Sequence, residues 1–384
     1  MLHPLHATDS SDASMGQAGG RRVSTTEVYG RASAALTTDD IAACRPVGID
    51  LIRATRKLHR KAISVGLLAV GSYVGMLAVH SVLLAIPLAI GLTIAIIAIG
   101  TCVMHDANHG AFSESKALNR VVGYSSDLVG ASSWLWRQKH NGLHHANTNV
   151  VGIDTDIEQM PFARLAPAQP WRPWHRFQHL YMWPLYGFLT VQWALFSDLA
   201  TLATRKIGSQ PLRRKPKLSD LTLLILGKVL HFGWAIGIPM FFHRWWVVVA
   251  FYMSISWCVG FALAVFFQVA HCVDTTTFVS PETPRRGDQF ALHQLSTTAN
   301  VECHTPIIGS FTAWLMGGLH QQIEHHLAPG VPHTAYEVMG KKIRELCEAR
   351  GISYLTHTSM TAALRSHMRW LRAMGVRPSI ANGV

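Results

Sequence analysis

A chain of 384 residues that is 49% hydrophobic and only 15% charged, with a mean hydropathy of +0.19, is too apolar for a soluble protein of average makeup and points to a membrane. The formal net charge of +12 raises nucleic acid as a partner. The basic residues, however, gather beside apolar stretches and not in an aromatic-studded soluble domain, so no nucleic acid is expected and anionic membrane lipids are the counter-charge.

Residues 1–45 are rich in Ser, Thr, Ala and Gly, lack the long apolar core of a signal peptide, and are expected to form a flexible tail. Apolar stretches at 62–79 and 81–102 are each long enough to cross a bilayer of about 30 Å and abut at His80, which predicts a tight hairpin. A second pair, 221–242 and 245–270, hinges at His243-Arg244. Lys228, His231 and Gln268 fall inside these spans and should turn toward protein or a polar cavity. Between the pairs, 180–203 is also apolar, but Pro184, Gln192 and Asp198 interrupt it and it is rich in Trp and Tyr. It is read as interfacial, the alternative being a fifth crossing that would break the parity. The stretch 306–319 is short for a crossing and is read the same way.

Arg53, Arg56, Lys57, Arg60 and Lys61 precede the first span, and Arg205, Lys206, Arg213, Arg214, Lys215 and Lys217 precede the third, so both flanks should be cytoplasmic. The predicted fold is an all-α integral membrane protein with four transmembrane helices in two hairpins and a cytosolic helical cap, the membrane domain occupying 46–355. Thr334 to Glu337 match a capping box ahead of a helix at about 335–350. In the segment 356–384, Leu364, Met368 and Leu371 alternate with Arg365, Arg369 and Arg372. This is a basic amphipathic helix for which membrane surface, solvent and protein packing all stay open.

Three histidine clusters stand out: His105 and His109; His140, His144 and His145; and Gln322, His325 and His326. Residues three and four apart share a helix face, so each cluster sets imidazoles side by side, a pattern hard to explain as packing. All three fall on the cytoplasmic side of the predicted topology. Six cysteines without CxxC spacing suggest neither a disulfide framework nor a thiolate site, and HExxH is absent. Seven cluster histidines are too many for one ion but suit two, and iron is the natural candidate for dioxygen chemistry at a membrane surface.

The runs His105-Asp106-Ala107-Asn108-His109, His140 to His145 continuing to Asp154-Thr155-Asp156, and Gly317 to Pro329 with Gln322-Ile323-Glu324-His325-His326 resemble the three histidine boxes of membrane fatty acid desaturases. The third is similar to the glutamine-containing box of the front-end branch, and His293 to Asn300 resembles the segment ahead of it in bacterial acyl desaturases. The resemblance spans about residues 50–355. It implies a desaturase holding two iron ions, with dioxygen as co-substrate and a fatty acyl substrate on coenzyme A, a carrier protein or a lipid. It also implies a separate electron donor, such as a ferredoxin or small cytochrome with its reductase. It assigns metal ligation to His105, His109, His140, His144, His145, His325 and His326, and to His271 at the end of the fourth span. Gln322, Gln268, Asp106, Asp154, Asp156 and Glu324 are candidates to orient those ligands. Ala328 and His320 depart from the family pattern and leave substrate choice open. A hydroxylase, acetylenase or sphingolipid desaturase on the same scaffold is the near alternative, and a metal transporter the distant one.

Overall fold

Hydropathy builds the longest elements, and two of them, Ile49–Ala78 and Trp245–His271, have no interior proline. A computed structural model describes residues 36–283, 285 and 287–378. After a short helix α1 (Thr38–Cys44), the chain forms the 30-residue helix α2 (Ile49–Ala78). A turn at 79–81 leads to α3 (Val82–Ala98), which a π-helical turn (Ile99–Val103) joins to α4 (Met104–His109). Following them are α5 (Ser133–Lys139), α6 (Gln178–Tyr186), α7 (Leu218–Phe232) and the 27-residue α8 (Trp245–His271).

Four helical stretches, Ile49–Ala78, Val82–Asn108, Leu218–Phe241 and Trp245–His271, are long and apolar enough to cross a membrane. Ile63, Leu67, Val70, Leu83, Ile90, Val229 and Phe241 on them are exposed, as side chains facing lipid would be. Small residues bring these helices together: a Cβ at Gly91 of α3 would stand 2.5 Å from Ser72 Oγ of α2. The two connections also meet, with the His80 and His243 rings 5.6 Å apart and His243 Nε2 donating to Met76 O at 2.9 Å.

The polar groups inside the spans turn inward, as expected: Lys228 pairs with Asp198 at 2.7 Å and His231 Nε2 meets Tyr252 Oη at 3.1 Å.

Further along the chain lie α9 (Phe290–Thr297), α10 (Ile308–Met316), α11 (Gln322–Leu327), α12 (Tyr336–Ala349) and α13 (Met360–Gly375). A two-residue parallel ladder joins β1 (Asn300–Val301) to β2 (Thr356–His357). Ile323 and Leu327 of α11 pack with Tyr336, Met339 and Ile343 of α12, and with Ile41 and Cys44 of α1, in one buried cluster.

Several expectations change in detail. The tail expected over 1–45 lies outside the described residues up to 35. Beyond that, α1 is folded, closed by a capping box from Thr37 and held by Arg350 on Asp40 at 2.6 and 2.7 Å. The helix that carries the first span begins 13 residues before position 62, because the basic stretch from Ile49 is already helical and buries Ala54 and Leu58. Thr334 forms no capping box: its hydroxyl donates to Ala54 O at 2.7 Å, and α12 begins at Tyr336. The stretch 180–203 breaks at 187–188 into α6 and a helical run over 189–204 that contains a π-helical turn, so it forms no single long helix. Of the options left open for the C-terminal helix, α13 takes the protein-packed one, burying Ala363, Ser366, His367, Leu371 and Gly375.

Candidate metal centre

Each histidine cluster sits on a short or interrupted helix. α4 ends at Gly110 with φ 78°, a left-handed conformation that suits glycine, and sets the His105 and His109 rings 4.7 Å apart. The second cluster departs from the expected α-helical comb. α5 runs into a π-helical turn, His140–His144, in which His145 N donates to His140 O, five residues back, at 3.0 Å. The wider turn brings His140 Nε2 to 3.2 Å from His145 Nε2. α11 carries Gln322, His325 and His326, all essentially without solvent exposure, and His271 is the last residue of α8.

These residues form two nests. His105, His109, His140 and His325 can bring one nitrogen each within 4.8 Å of one another, and so can His144, His271 and His326. His145 joins His325 and His326 in a third such group that links the nests. All eight histidines named from the sequence therefore converge.

Ring orientation fits metal ligation. The Nδ1 of His144 reaches Asp154 Oδ2 at 3.1 Å, that of His271 the Thr297 carbonyl at 3.3 Å, that of His325 the Tyr336 hydroxyl at 3.1 Å, and that of His326 Gln294 Oε1 at 2.9 Å. The opposite nitrogens of His144 and His325, like Nε2 of His109 and both ring nitrogens of His105, are buried without a hydrogen-bond partner. Imidazoles whose outer N–H is fixed by an acceptor and whose inner lone pair has no donor are what a metal ion requires. Burial and the neighbouring imidazoles hold His140, His145, His325 and His326 well below the usual histidine range, which keeps their lone pairs free. His144 moves the other way: burial alone would lower it, but Asp154 and Asp156 raise it.

The residues expected to orient the ligands divide. Asp154 accepts from His144 and from the backbone of Asn149 at 2.9 Å and Asp156 at 3.0 Å. Asp156 lies 3.4 Å from His144 Nδ1 and 2.7 Å from Lys139 Nζ. Burial alone would raise its carboxyl, but Lys139 and His144 hold it well below the carboxylate range. Asp106 Oδ1 lies 3.7 Å from His105 Nδ1, and its Oδ2 takes the His333 ring at 2.8 Å. Gln322 Nε2 stands 3.0 Å from His271 Nε2 and 3.3 Å from His326 Nε2.

Two candidates do not reach a ligand. Glu324 points to the opposite side of α11, where Asn300 Nδ2 donates to it at 2.8 Å and the Tyr354 hydroxyl at 2.6 Å. Gln268, one turn before His271, has its Oε1 buried without a partner.

Gln294, Thr148, Thr297 and Tyr336 contact ligand rings and were not singled out from the sequence. Gln294 lies in the His293 to Asn300 segment, where its motif gave a signal without a role. Thr297 ends α9 in that same segment, whereas Thr148 lies in a turn and Tyr336 at the start of α12, where neither carries a local pattern.

Four membrane-length helices and two converging groups of imidazoles mark a membrane protein with a candidate metal site. The chain matches the fatty acid desaturase family over residues 56–358. It is 35% identical over 287 residues to the sn-1 linoleoyl-lipid 6-desaturase of Synechocystis sp., covering 74% of this chain and 79% of that one. The enzyme of the same name from Arthrospira platensis is 30% identical over 282 residues, with 73% and 75% covered. An acyl-lipid (8-3)-desaturase of Physcomitrium patens is 32% identical over 282 residues, 72% of this chain and 58% of that one. The chain belongs to the fatty acid desaturase family and is a membrane oxidoreductase that desaturates fatty acyl chains.

Proposed function

We propose that the protein is an oxygen-dependent di-iron acyl-lipid desaturase of front-end regiochemistry. His105, His109, His140 and His325 would hold one ion and His144, His271 and His326 the other, with His145 between them. The observation that carries this is the convergence of eight imidazoles, several with an outward hydrogen bond and an inward lone pair without a donor. Nitrogen-only ligation suits iron. When bound, the iron pair supplies the dioxygen chemistry that removes hydrogen from an unactivated carbon.

The chain's own residues bind and orient the acyl group and exclude water. A largely apolar cavity runs beside the nests, lined by His105, Trp136 and Leu319 near the histidines and by Leu92, Val259 and Leu263 further along the spans. It extends to His80 and His243 at the helix connections. A flexible chain threaded there presents one methylene pair to the metals, and the fit of the cavity selects which pair. Trp136 packs on the His140 ring at 4.3 Å and 26°, forming a wall shared by cavity and ligand. Removal of two hydrogens from the acyl chain and reduction of dioxygen to two waters requires two further electrons and two protons. A separate ferredoxin or small cytochrome, docking on the exposed Arg53, Arg56, Lys57 and Arg60 of α2, would deliver the electrons.

The names of the relatives and Gln322 in the third box support the lipid-linked substrate and the front-end position. Basic flanks favour the cytoplasmic side for the metal centre. Expression in a host fed defined acyl chains, followed by gas chromatography–mass spectrometry of separated lipid classes, tests the proposal. New double bonds on the carboxyl side of existing ones, appearing first in glycerolipids, are expected. Hydroxylated products or a change confined to the acyl-CoA pool would contradict it. Protease protection that separates residues around Asn147 from those around Glu337 would contradict the topology.

A further inference from the structure

Helix α13 begins beyond the residues matched by the family, 56–358, yet it closes on the residue that follows His271. We propose that α13 is a latch that sets the position of His271, and that His367 is its positioning residue. α8 ends at His271, and the carbonyl of Cys272, just past the helix, is buried with the rest of that residue at 1% exposure. A carbonyl at a buried helix end needs a donor. His367 provides it, Nδ1 donating to Cys272 O at 2.7 Å while Nε2 accepts from the Tyr186 hydroxyl at 2.8 Å. The two contacts fix one tautomer of a ring with no exposure to water.

The same helix grips the chain two residues further on. The Ser366 hydroxyl donates to Asp274 Oδ1 and accepts from Asp274 N at 3.2 Å, and Arg369 Nε donates to Asp274 Oδ2 at 2.5 Å. The helix cannot slide, because its last carbonyls are tied down: Gln178 donates to Leu371 O at 2.8 Å, Arg164 to Met374 O at 2.9 Å and Trp171 to Gly375 O at 2.8 Å. Trp370 adds a bond to Leu165 O at 2.8 Å and stacks on Phe278 at 4.8 Å and 7°. The carbonyl of His271 itself is held by Asn149 Nδ2 at 2.9 Å and Thr276 Oγ1 at 2.6 Å, both inside the family match. The His271 ring is held at Nδ1 by the Thr297 carbonyl at 3.3 Å; α13 adds a further restraint, at the Cys272 carbonyl and at Asp274, without touching the ligand itself.

The latch presupposes the metal centre proposed above. Ferrous titration of the purified full-length protein in lipid nanodiscs tests it. Three chains are compared: wild type, His367→Leu, which removes both ring contacts, and His367→Gln, whose amide can donate to Cys272 O and accept from Tyr186. His367→Leu should weaken the ion held by His271 by about tenfold, the lower end for groups that orient ligands, and should alter one component of the iron Mössbauer spectrum. His367→Gln should recover most of the affinity. Wild-type iron affinity in His367→Leu, in a wild type that binds iron, overturns the latch alone, whereas a wild type that binds no iron overturns the metal centre with it. Should His367→Leu not purify, Tyr186→Phe decides: weaker binding supports the latch, and unchanged binding overturns it.

Discussion

Gln322 Nε2 stands 3.0 Å from His271 Nε2, across the gap between the end of α8 and the first turn of α11. The other amide atom, Oε1, is buried without a partner, so half a turn of the amide presents an oxygen to the same point. Gln322 thus faces the point where the nitrogens of His144, His271 and His326 converge, and in the proposed centre His271 would supply the imidazole that the third cluster lacks. His320 precedes α11 in a turn and belongs to neither nest.

Gln322→His should therefore retain iron and some activity, His320→Asn should be mild, and His271→Ala should lose iron. Iron per purified chain checks this. Full iron in His271→Ala together with depleted iron in His320→Asn would reverse the assignment.

Asp154 fixes His144 by accepting from Nδ1 at 3.1 Å, both groups being fully buried. Asp154→Asn keeps the size but removes the charge that makes His144 a better donor to metal. Iron affinity should fall about 10- to 100-fold, measured by ferrous titration, with unchanged membrane insertion. Affinity within the error of wild type would show that Asp154 acts only on the loop backbone of Asn149 and Asp156.

The four membrane-length helices and the eight converging histidines were legible in the sequence, because twenty apolar residues and paired imidazoles are local patterns. What was not legible has physical reasons. The start of α2 at Ile49 is set by burial of Ala54 and Leu58 under other elements, which hydropathy does not register. The π-helical turn at His140–His144 adds one residue to a helical turn and leaves no compositional mark. Glu324 shares its cluster with the ligands, yet its position on α11 points it at Asn300 and Tyr354 instead. Tyr336 and Thr148 reach His325 and His326 only through tertiary folding.

Asn300 ties β1 to α11, accepting from Ile323 N at 2.9 Å and donating to Glu324 at 2.8 Å. Asn300→Ala leaves a buried N–H and a buried carboxyl short of a partner, and should cost about 1–3 kcal/mol for each unsatisfied group. Thermal unfolding of the metal-free protein should register the loss, and an unchanged midpoint would contradict it.

His293, His320 and His367 lie outside the ligand set, and burial lowers each to about 4. Between about pH 6.5 and 4 the unfolded chain binds protons at these positions that the folded chain does not, so stability rises with pH there. The metal-free protein should hold its full share of this stability above about pH 6.5 and lose it progressively toward pH 4. The ceiling is about 3 kcal/mol for each histidine. Chemical denaturation across that range checks the sign, and His320→Asn should flatten the slope. Constant stability from pH 7 to 4.5 would contradict it.

Iron content and product formation measured on one preparation bear most directly on the central claim. The purified chain, reconstituted with ferrous iron and supplied with dioxygen, an electron donor and an acyl-lipid, should bind two irons and form a new double bond. His105→Ala, His144→Ala and His325→Ala should each lose iron and product while still inserting into the membrane. Near-wild-type product from any two of these variants would contradict the di-iron assignment.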